Sequence, residues 1–180
     1  MKLSNPEKLM LLMLSDVCDK LAINEYNTAL IKAAIYTDNN WAIDWEFSEV
    51  VGSGREKDPQ EVSDVICYLD MWEAIEESFS SYDQHELNIF WSEMGMKISN
   101  LKFPGFDGGS EFKFLSISSM FINRMGRFSH FMGRDLNSHY PTVDGYSRMF
   151  SVFVDSLGDG YAHRRLSPQL LASILKVAKK

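Results

Sequence analysis

Residues 58–81, DPQEVSDVICYLDMWEAIEESFSS, carry the longest helical pattern in the 180-residue chain. In the first four residues an aspartate that can cap a helix is followed by a proline and, three positions after the aspartate, by a glutamate. This is the capping-box pattern typical of a helix start. Apolar residues then recur at steps of three and four, which predicts a helix to about Ser81 with one buried face. That face consists of Val62, Val65, Ile66, Leu69, Trp72 and Ile75. We expect this helix to be the centre of the fold.

Three glutamates, Glu73, Glu76 and Glu77, are expected on the outer side of this helix. A run of charge opposite an apolar stripe indicates a solvated face. Their pairing is no evidence for acid/base catalysis, because nothing in the sequence predicts surroundings that would separate their pKa values.

Helical patterns of the same kind lie on both sides of this stretch. Residues 4–7, SNPE, form a capping box, and the apolar face that follows consists of Met10, Leu14, Val17, Cys18 and Leu21. Asn24 is expected to cap a second helix that runs to about Thr37. Because no alternating strand of useful length occurs, the sequence predicts an all-α, single-domain bundle of about seven or eight helices over residues 1–180, with no sheet.

Net charge is unevenly distributed. Residues 1–100 carry seven Lys/Arg and nineteen Asp/Glu, whereas residues 101–180 carry eleven and six, within a total of −7. This difference suggests that the single domain has two sub-divisions, an acidic helical part, 1–100, and a basic helical part, 101–180. The opposite net charges of these two parts, together with many large apolar residues, lead us to expect a homo-oligomer.

Composition argues against several classes of protein. No apolar run approaches the roughly 20 residues that cross a bilayer, and the run LMLLML at 9–14 is too short for a signal peptide, so we expect a cytoplasmic protein without a membrane partner. Cys18 and Cys67 belong to no Cys/His ligand pattern, so no metal is expected. Neither GxGxxG nor a Walker motif occurs, and no cofactor is predicted.

Two tryptophans, Trp41 and Trp45, lie one helical turn apart. Such a pair is typical of a packing anchor, and less often of a surface on which a ligand stacks. We expect it to anchor the short helix that it belongs to.

Residues 123–149, NRMGRFSHFMGRDLNSHYPTVDGYSRM, concentrate arginine, asparagine and histidine in an otherwise acidic chain. The apolar residues Phe114, Ile117, Phe121, Met125, Phe128 and Met132 recur at helical spacing and predict one continuous buried stripe. Asn123, Arg127 and His130 then share the opposite face. That face is either simply solvated or a surface for a polar ligand, with Arg127 as a forked donor and His130 as a group that titrates near neutral pH.

The segment after this pattern is expected to be a loop. Gly133 ends the pattern, and residues 134–139 read as a loop before a helix that starts near Pro141. Asn137 and His139 are candidates for ligand binding and, equally, for capping the next helix. In that helix Asp144 and Arg148 are spaced for a surface ion pair.

Several motifs resemble the YfbU family of bacterial proteins. They are LSNPEKLMLLMLSDV, WAIDWEF, YLDMWEAIE, FPGFDGG and, above all, GRF-x-x-F-x-GRDLNSH-x-P followed by Y-x-RM, and together they cover nearly the whole chain. The resemblance implies a small all-α protein and no particular reaction. The polar positions that correspond to the family's pattern are Asn123, Arg127, Arg134, Asn137, His139, Tyr146 and Arg148.

Three functional hypotheses remain open at this point. The first is a non-enzymatic helical interaction or small-anion-binding protein that uses the basic polar region 123–148, because arginine suits carboxylates and phosphates. The second is a metal-independent ribonuclease similar to HEPN proteins, with Arg124 stabilising phosphate charge and His130 as general acid/base. The third is a regulatory protein that binds nucleic acid, which a net charge of −7 does not favour.

Overall fold

Residues 2–51, 57–157 and 165–178 are described by the computed structural model. They form nine α-helices: α1 (Asn5–Lys20), α2 (Thr28–Tyr36), α3 (Trp41–Glu46), α4 (Ser48–Val51), α5 (Gln60–Ser80), α6 (Gln84–Met94), α7 (Phe112–Ser119), α8 (Val143–Leu157) and α9 (Pro168–Val177). A π turn (Met120–Arg124) and a 3-10 turn (Ser129–Phe131) follow α7. These ranges contain no strand, and an isolated bridge joins Phe106 to Asn137. The all-α prediction is confirmed.

Helix starts largely follow the capping signals of the sequence. The Glu7 carboxylate accepts a hydrogen bond of 2.7 Å from the Ser4 backbone N–H at the start of α1. The side chain of Ser167 accepts from the backbone N–H of Leu170 at the start of α9. The prediction for α2 is wrong, because Asn27 and not Asn24 caps it, with its side-chain oxygen 3.1 Å from the Leu30 backbone nitrogen. Either asparagine has the chemistry of a cap, so the capping signal alone did not choose between them.

Two compact units divide the chain. The first contains residues 1–63 and 116–134, and the second contains residues 64–115 and 135–180. This division differs from the acidic and basic parts suggested by charge, and the expectation of a single domain stays a prediction. Among the described helices, none is long and apolar enough to cross a membrane.

Aromatic residues from α3 and the π turn organise the core of the first unit. Trp41 is almost fully buried, and its ring lies 5.5 Å from that of Trp45 and 4.8 Å from that of Phe121. The tryptophan pair therefore packs as expected. Leu30 and Ala34 of α2 are fully buried.

The apolar face predicted for α1 lies in solvent. Met10, Leu14, Val17 and Leu21 are exposed, and Leu9 and Met13 extend the same surface. α1 packs against α2, and its buried or half-buried residues include Ser15, Leu11, Leu12 and Cys18. Leucine and methionine occupy both sides of this helix, so the pattern contained two apolar faces and α2 covers the other one.

The buried face of α5 is the centre of the second unit, as expected. Leu69, Trp72 and Ile75 are buried, and Trp72 packs against Phe103 and Tyr146 with ring centroids 5.8 and 5.7 Å away. These aromatic contacts join α5 to α8 and to the loop before α7.

The predicted solvated face of α5 is wrong for one of its three glutamates. Glu76 is only 5% exposed, and its carboxylate accepts a hydrogen bond of 2.6 Å from the backbone N–H of Phe103. Glu77 is exposed and Glu73 is half-buried. Glu76 follows Leu69 by seven residues and Trp72 by four, so the helical repeat sets it on the buried side of α5, where its carboxylate satisfies the backbone N–H of Phe103.

Candidate functional site

The helical pattern through residues 114–132 does not give one continuous helix. After α7 the backbone N–H of Met125 bonds to the Met120 carbonyl, which is five residues back, and Gly126 then takes a φ of 64°. A wide turn followed by a residue with positive φ ends a helix. Ile117 and Phe121 remain buried, as predicted, but Met132 at the far end of the stripe is 56% exposed. Gly126 was the signal in the sequence that marked this end.

Arg127 lies after this break and stacks on an aromatic ring. Its guanidinium carbon is 4.7 Å from the ring centroid of Trp45. Trp45 is itself fixed, because its indole N–H donates to Asp58 and its ring packs edge-on against Phe121. Within the part of the first unit that the structure describes, no carboxylate pairs with Arg127. An exposed arginine whose guanidinium lies over a tryptophan ring keeps its N–H groups available for an anion.

The other candidates of the first unit lie on different turns. Asn123 donates its amide to the Ser119 hydroxyl at 3.1 Å. The guanidinium of Arg134 lies 5.2 Å from the ring centroid of Phe131, and the ring of His130 meets Phe131 edge-on at 5.0 Å. Arg124 ends the π turn whereas His130 belongs to the 3-10 turn. The face that Asn123, Arg127 and His130 were expected to share on one helix is therefore not formed.

Asn137 and His139 belong to a loop of the second unit. The Asn137 side-chain oxygen accepts hydrogen bonds of 3.0 Å from the backbone N–H groups of Gly108 and His139. His139 has a φ of 59° and is exposed, with its Nε2 4.0 Å from a carboxylate oxygen of Asp135. Asn137 therefore holds two loops together, whereas the His139 ring remains accessible.

Tyr146 is buried in α8. Its hydroxyl donates to the Gly105 carbonyl at 2.9 Å, and burial raises the pKa of this phenol above its ordinary value. The start of the helix is capped by Glu111, whose carboxylate accepts from the backbone N–H groups of Thr142 and Val143, each at 2.7 Å. This cap comes from a residue about thirty positions earlier, so no local sequence signal indicated it.

Arg148 binds the end of another helix. Its Nε donates to the Val177 carbonyl at 2.9 Å and its Nη2 to the Ala178 carbonyl at 3.0 Å. The predicted surface pair with Asp144 is wrong, because the last carbonyls of α9 take these donors instead. A cation at this position also interacts favourably with the helix dipole.

Two apolar features of the structure were not predicted from the sequence. The first is the α1 surface, which we define as Leu9, Met10, Met13, Leu14, Val17 and Leu21, all between 50% and 66% exposed. An apolar groove of about 480 Å³ lies beside it in the first unit, with Ile31, Ile43 and Phe47 in its lining. The second is a cavity of about 460 Å³ within the second unit, whose lining includes Trp72, Tyr146 and Arg148.

These features define a small all-α protein of short packed helices, in whose first unit one apolar face of α1 is uncovered and an arginine lies over a tryptophan ring. A family model described as the YfbU domain matches residues 1–177. The chain belongs to the YfbU family, as its motifs predict.

Proposed function

We propose that this protein is a non-enzymatic helical interaction protein that self-associates through the α1 surface. The observation that carries the proposal is the exposure of six large apolar side chains along one side of a single helix. A contiguous apolar patch of this kind on a folded protein marks an interaction site.

The spacing of these residues favours a second copy of the chain as the partner. Met10, Leu14, Val17 and Leu21 follow one another at steps of four, three and four, which is the repeat of a helix–helix seam. In an antiparallel pair of α1 helices, a twofold axis would place Met10 against Leu21 of the partner subunit, and Leu14 against Val17 of the partner subunit. The seam is therefore complementary to itself, as an isologous interface requires.

Charge beside the α1 surface is compensated within each chain. Lys32 binds Asp16 and Asp19, each at 2.6 Å, and Asp38 binds Lys8 at 3.0 Å. Two copies with a net charge of −7 repel each other at long range. Because Asp16 and Asp19, which flank the seam, already have a cationic partner in Lys32, this repulsion is reduced at the α1 surface.

The groove beside α1 provides a receptor for side chains of the second copy. Met10 and Leu14 form one wall, and Ile31, Ile43 and Phe47 contribute to the rest of a lining that is almost entirely apolar. Apolar side chains that enter such a groove are removed from water on both sides, which adds to the stabilisation from the seam.

The test is the mass of the protein in solution. Sedimentation equilibrium over a hundredfold range of concentration should give a dimer, with twice the 20.6 kDa of the single chain, and Leu14→Lys should give the monomer. Tyr36→Lys is the matched control, because Tyr36 is 77% exposed on α2 and lies outside the α1 surface. A wild-type monomer at every concentration, or a Leu14→Lys dimer as stable as wild type, would disprove the proposal.

A second candidate function, binding of a small anion, is supported by the Arg127 stack. We infer that Arg127 contributes the main contact and that Asn123 and Arg134 are further candidates in the same unit. Titration with inorganic phosphate should shift the NMR signal of the Trp45 indole N–H, and Arg127→Ala should abolish the shift while Arg124→Ala leaves it unchanged. An equal shift in Arg127→Ala would remove this candidate.

A further inference from the structure

A cavity of about 460 Å³ lies in the second unit, beside the start of α8 and the end of α9. Small-molecule sites in proteins span roughly 300–1,000 Å³. Most of the lining is apolar or aromatic, and it includes Trp72, Met94, Ile98, Leu101, Pro104 and Met149. All the residues that line the cavity belong to the same compact unit. The cavity therefore has the size and the lining of a site for a mainly apolar small molecule.

Asp144 is the acidic residue of the lining, and it is exposed to solvent. Arg148, one helical turn further along α8, directs its Nε and Nη2 donors to carbonyls at the end of α9. Among the residues that the structure describes, no lysine or arginine forms an ion pair with Asp144. An accessible carboxylate without a cationic partner therefore belongs to the lining of an apolar cavity.

The fixed charges around the cavity favour a cation. Arg148 is the cationic residue of the lining, but the carbonyls that it binds form the negative end of the α9 dipole and offset part of its charge. The positive end of the α8 dipole meets Glu111, whose carboxylate accepts from the backbone N–H groups of Thr142 and Val143. Within the described part of the chain Asp144 has no such partner, so a cation gains more from Asp144 than an anion gains from Arg148.

The hydroxyl groups of the lining favour a ligand that donates hydrogen bonds. Those of Thr142 and Tyr146 both donate to the Gly105 carbonyl, at 3.0 and 2.9 Å. Their protons are therefore not available to a carbonyl or carboxylate group of a ligand. The carboxylate of Asp144, in contrast, only accepts hydrogen bonds, which suits an ammonium group.

We propose that this cavity binds a hydrophobic amine, with its apolar body against the aromatic and aliphatic lining and its ammonium group beside the Asp144 carboxylate. The body leaves water, whereas the ammonium group stays at the solvent-exposed edge, so no charge is buried without a partner. The site is separate from the α1 surface and from Arg127, which belong to the other unit. It therefore stands or falls independently of the proposed function.

Three probes of similar shape and different charge test the inference. 2-Naphthylmethylamine is a cation at neutral pH, 2-naphthylmethanol is uncharged and 2-naphthoate is an anion. The ¹³C-methyl NMR signals of Met94 and Met149, which both line the cavity, report occupancy and give the dissociation constant of each probe.

We expect the amine to bind about two- to fivefold more tightly than the alcohol, because an exposed ion pair contributes up to about 1 kcal/mol, and the naphthoate to bind most weakly. Added salt should reduce the preference for the amine, since the charges are accessible to solvent. Asp144→Asn, which keeps the shape of the side chain, should make the amine and the alcohol equal. Asp155→Asn is the matched control on α8, exposed and outside the lining, and should preserve the difference.

Four results would overturn the inference. Methionine signals that no probe moves would show that the cavity is not a binding site. Equal affinity of the amine and the alcohol for the wild-type protein, or a preference that survives in Asp144→Asn, would remove the role of Asp144. Tightest binding of the naphthoate would show that the site selects an anion through Arg148.

Discussion

Replacement of Leu14 by alanine is the most direct quantitative test of self-association. The Leu14 side chain is 60% exposed in the single chain and lies in the middle of the α1 surface. Alanine is the best helix former, so the substitution preserves α1 while it removes most of the apolar side chain. The expected loss is therefore confined mainly to the interface.

The size of the effect follows from the exposed fraction. Complete burial of a leucine side chain stabilises by about 1.5–3 kcal/mol, so covering the exposed 60% contributes about 1–2 kcal/mol in each chain. A twofold interface contains the residue twice, which gives about 2–4 kcal/mol for the dimer. The dissociation constant should increase by about 30- to 700-fold.

Sedimentation velocity over a dilution series measures this constant for wild type, for Leu14→Ala and for the surface control Tyr36→Ala. Circular dichroism at a concentration where all variants are monomeric confirms that the helices remain. A change of less than about threefold for Leu14→Ala, or an equal change for Tyr36→Ala, would refute the placement of the interface on α1.

Three further predictions concern the second unit. Glu76→Ala should lower the free energy of unfolding by about 1–3 kcal/mol, because it leaves a buried backbone N–H without its acceptor, and urea unfolding measures this. Burial raises the pKa of Tyr82 to about 12, above its ordinary value of 10.0, so the folded state holds the phenolic proton more tightly than the unfolded state does. Stability should therefore fall as the pH rises from 10 to 12, and Tyr82→Phe should reduce that slope in thermal unfolding. Gly105→Ala should prevent folding, because a Cβ atom there would lie 2.0 Å from the Leu136 carbonyl oxygen at a φ of 92°.

A second glutamate and a second glycine serve as matched controls for two of these predictions. Glu77→Ala, one position along the same helix but exposed, should change stability by less than about 0.5 kcal/mol. Gly95→Ala, where a Cβ atom meets nothing within 4 Å, should cost only about 1 kcal/mol through its positive φ. Equal losses for the two glutamate variants, or for the two glycine variants, would contradict the assigned contacts.

Local chemistry made the helices predictable from sequence. The capping signals before α1 and α9, and the apolar repeat of α5, each depend on residues within one or two turns of one another. The prediction of the α2 cap failed because two asparagines with equivalent capping chemistry, Asn24 and Asn27, stand close together, and it is Asn27 that accepts from the Leu30 backbone N–H. The end of the helix at Gly126 was also local, but the apolar stripe that continues beyond it pointed to a longer helix.

Tertiary structure decided which residues are available to a partner. The helical repeat after Leu69 and Trp72 turns Glu76 to the buried side of α5, but the group that it binds, the backbone N–H of Phe103, comes from a loop 27 positions further along the chain. The position of α2 selects which of the two apolar sides of α1 is covered.

For the residues of the candidate site as well, the sequence predicted the chemistry and the tertiary structure decided the partners. From the sequence, Arg127 was expected to be a forked donor for a polar ligand and Arg148 to pair with Asp144 on the surface. The structure sets Arg127 on the ring of Trp45 and commits Arg148 to the carbonyls of α9. Helix formation is determined by neighbours three or four residues apart, whereas burial and the choice of hydrogen-bond partner depend on segments that meet only after the chain has folded.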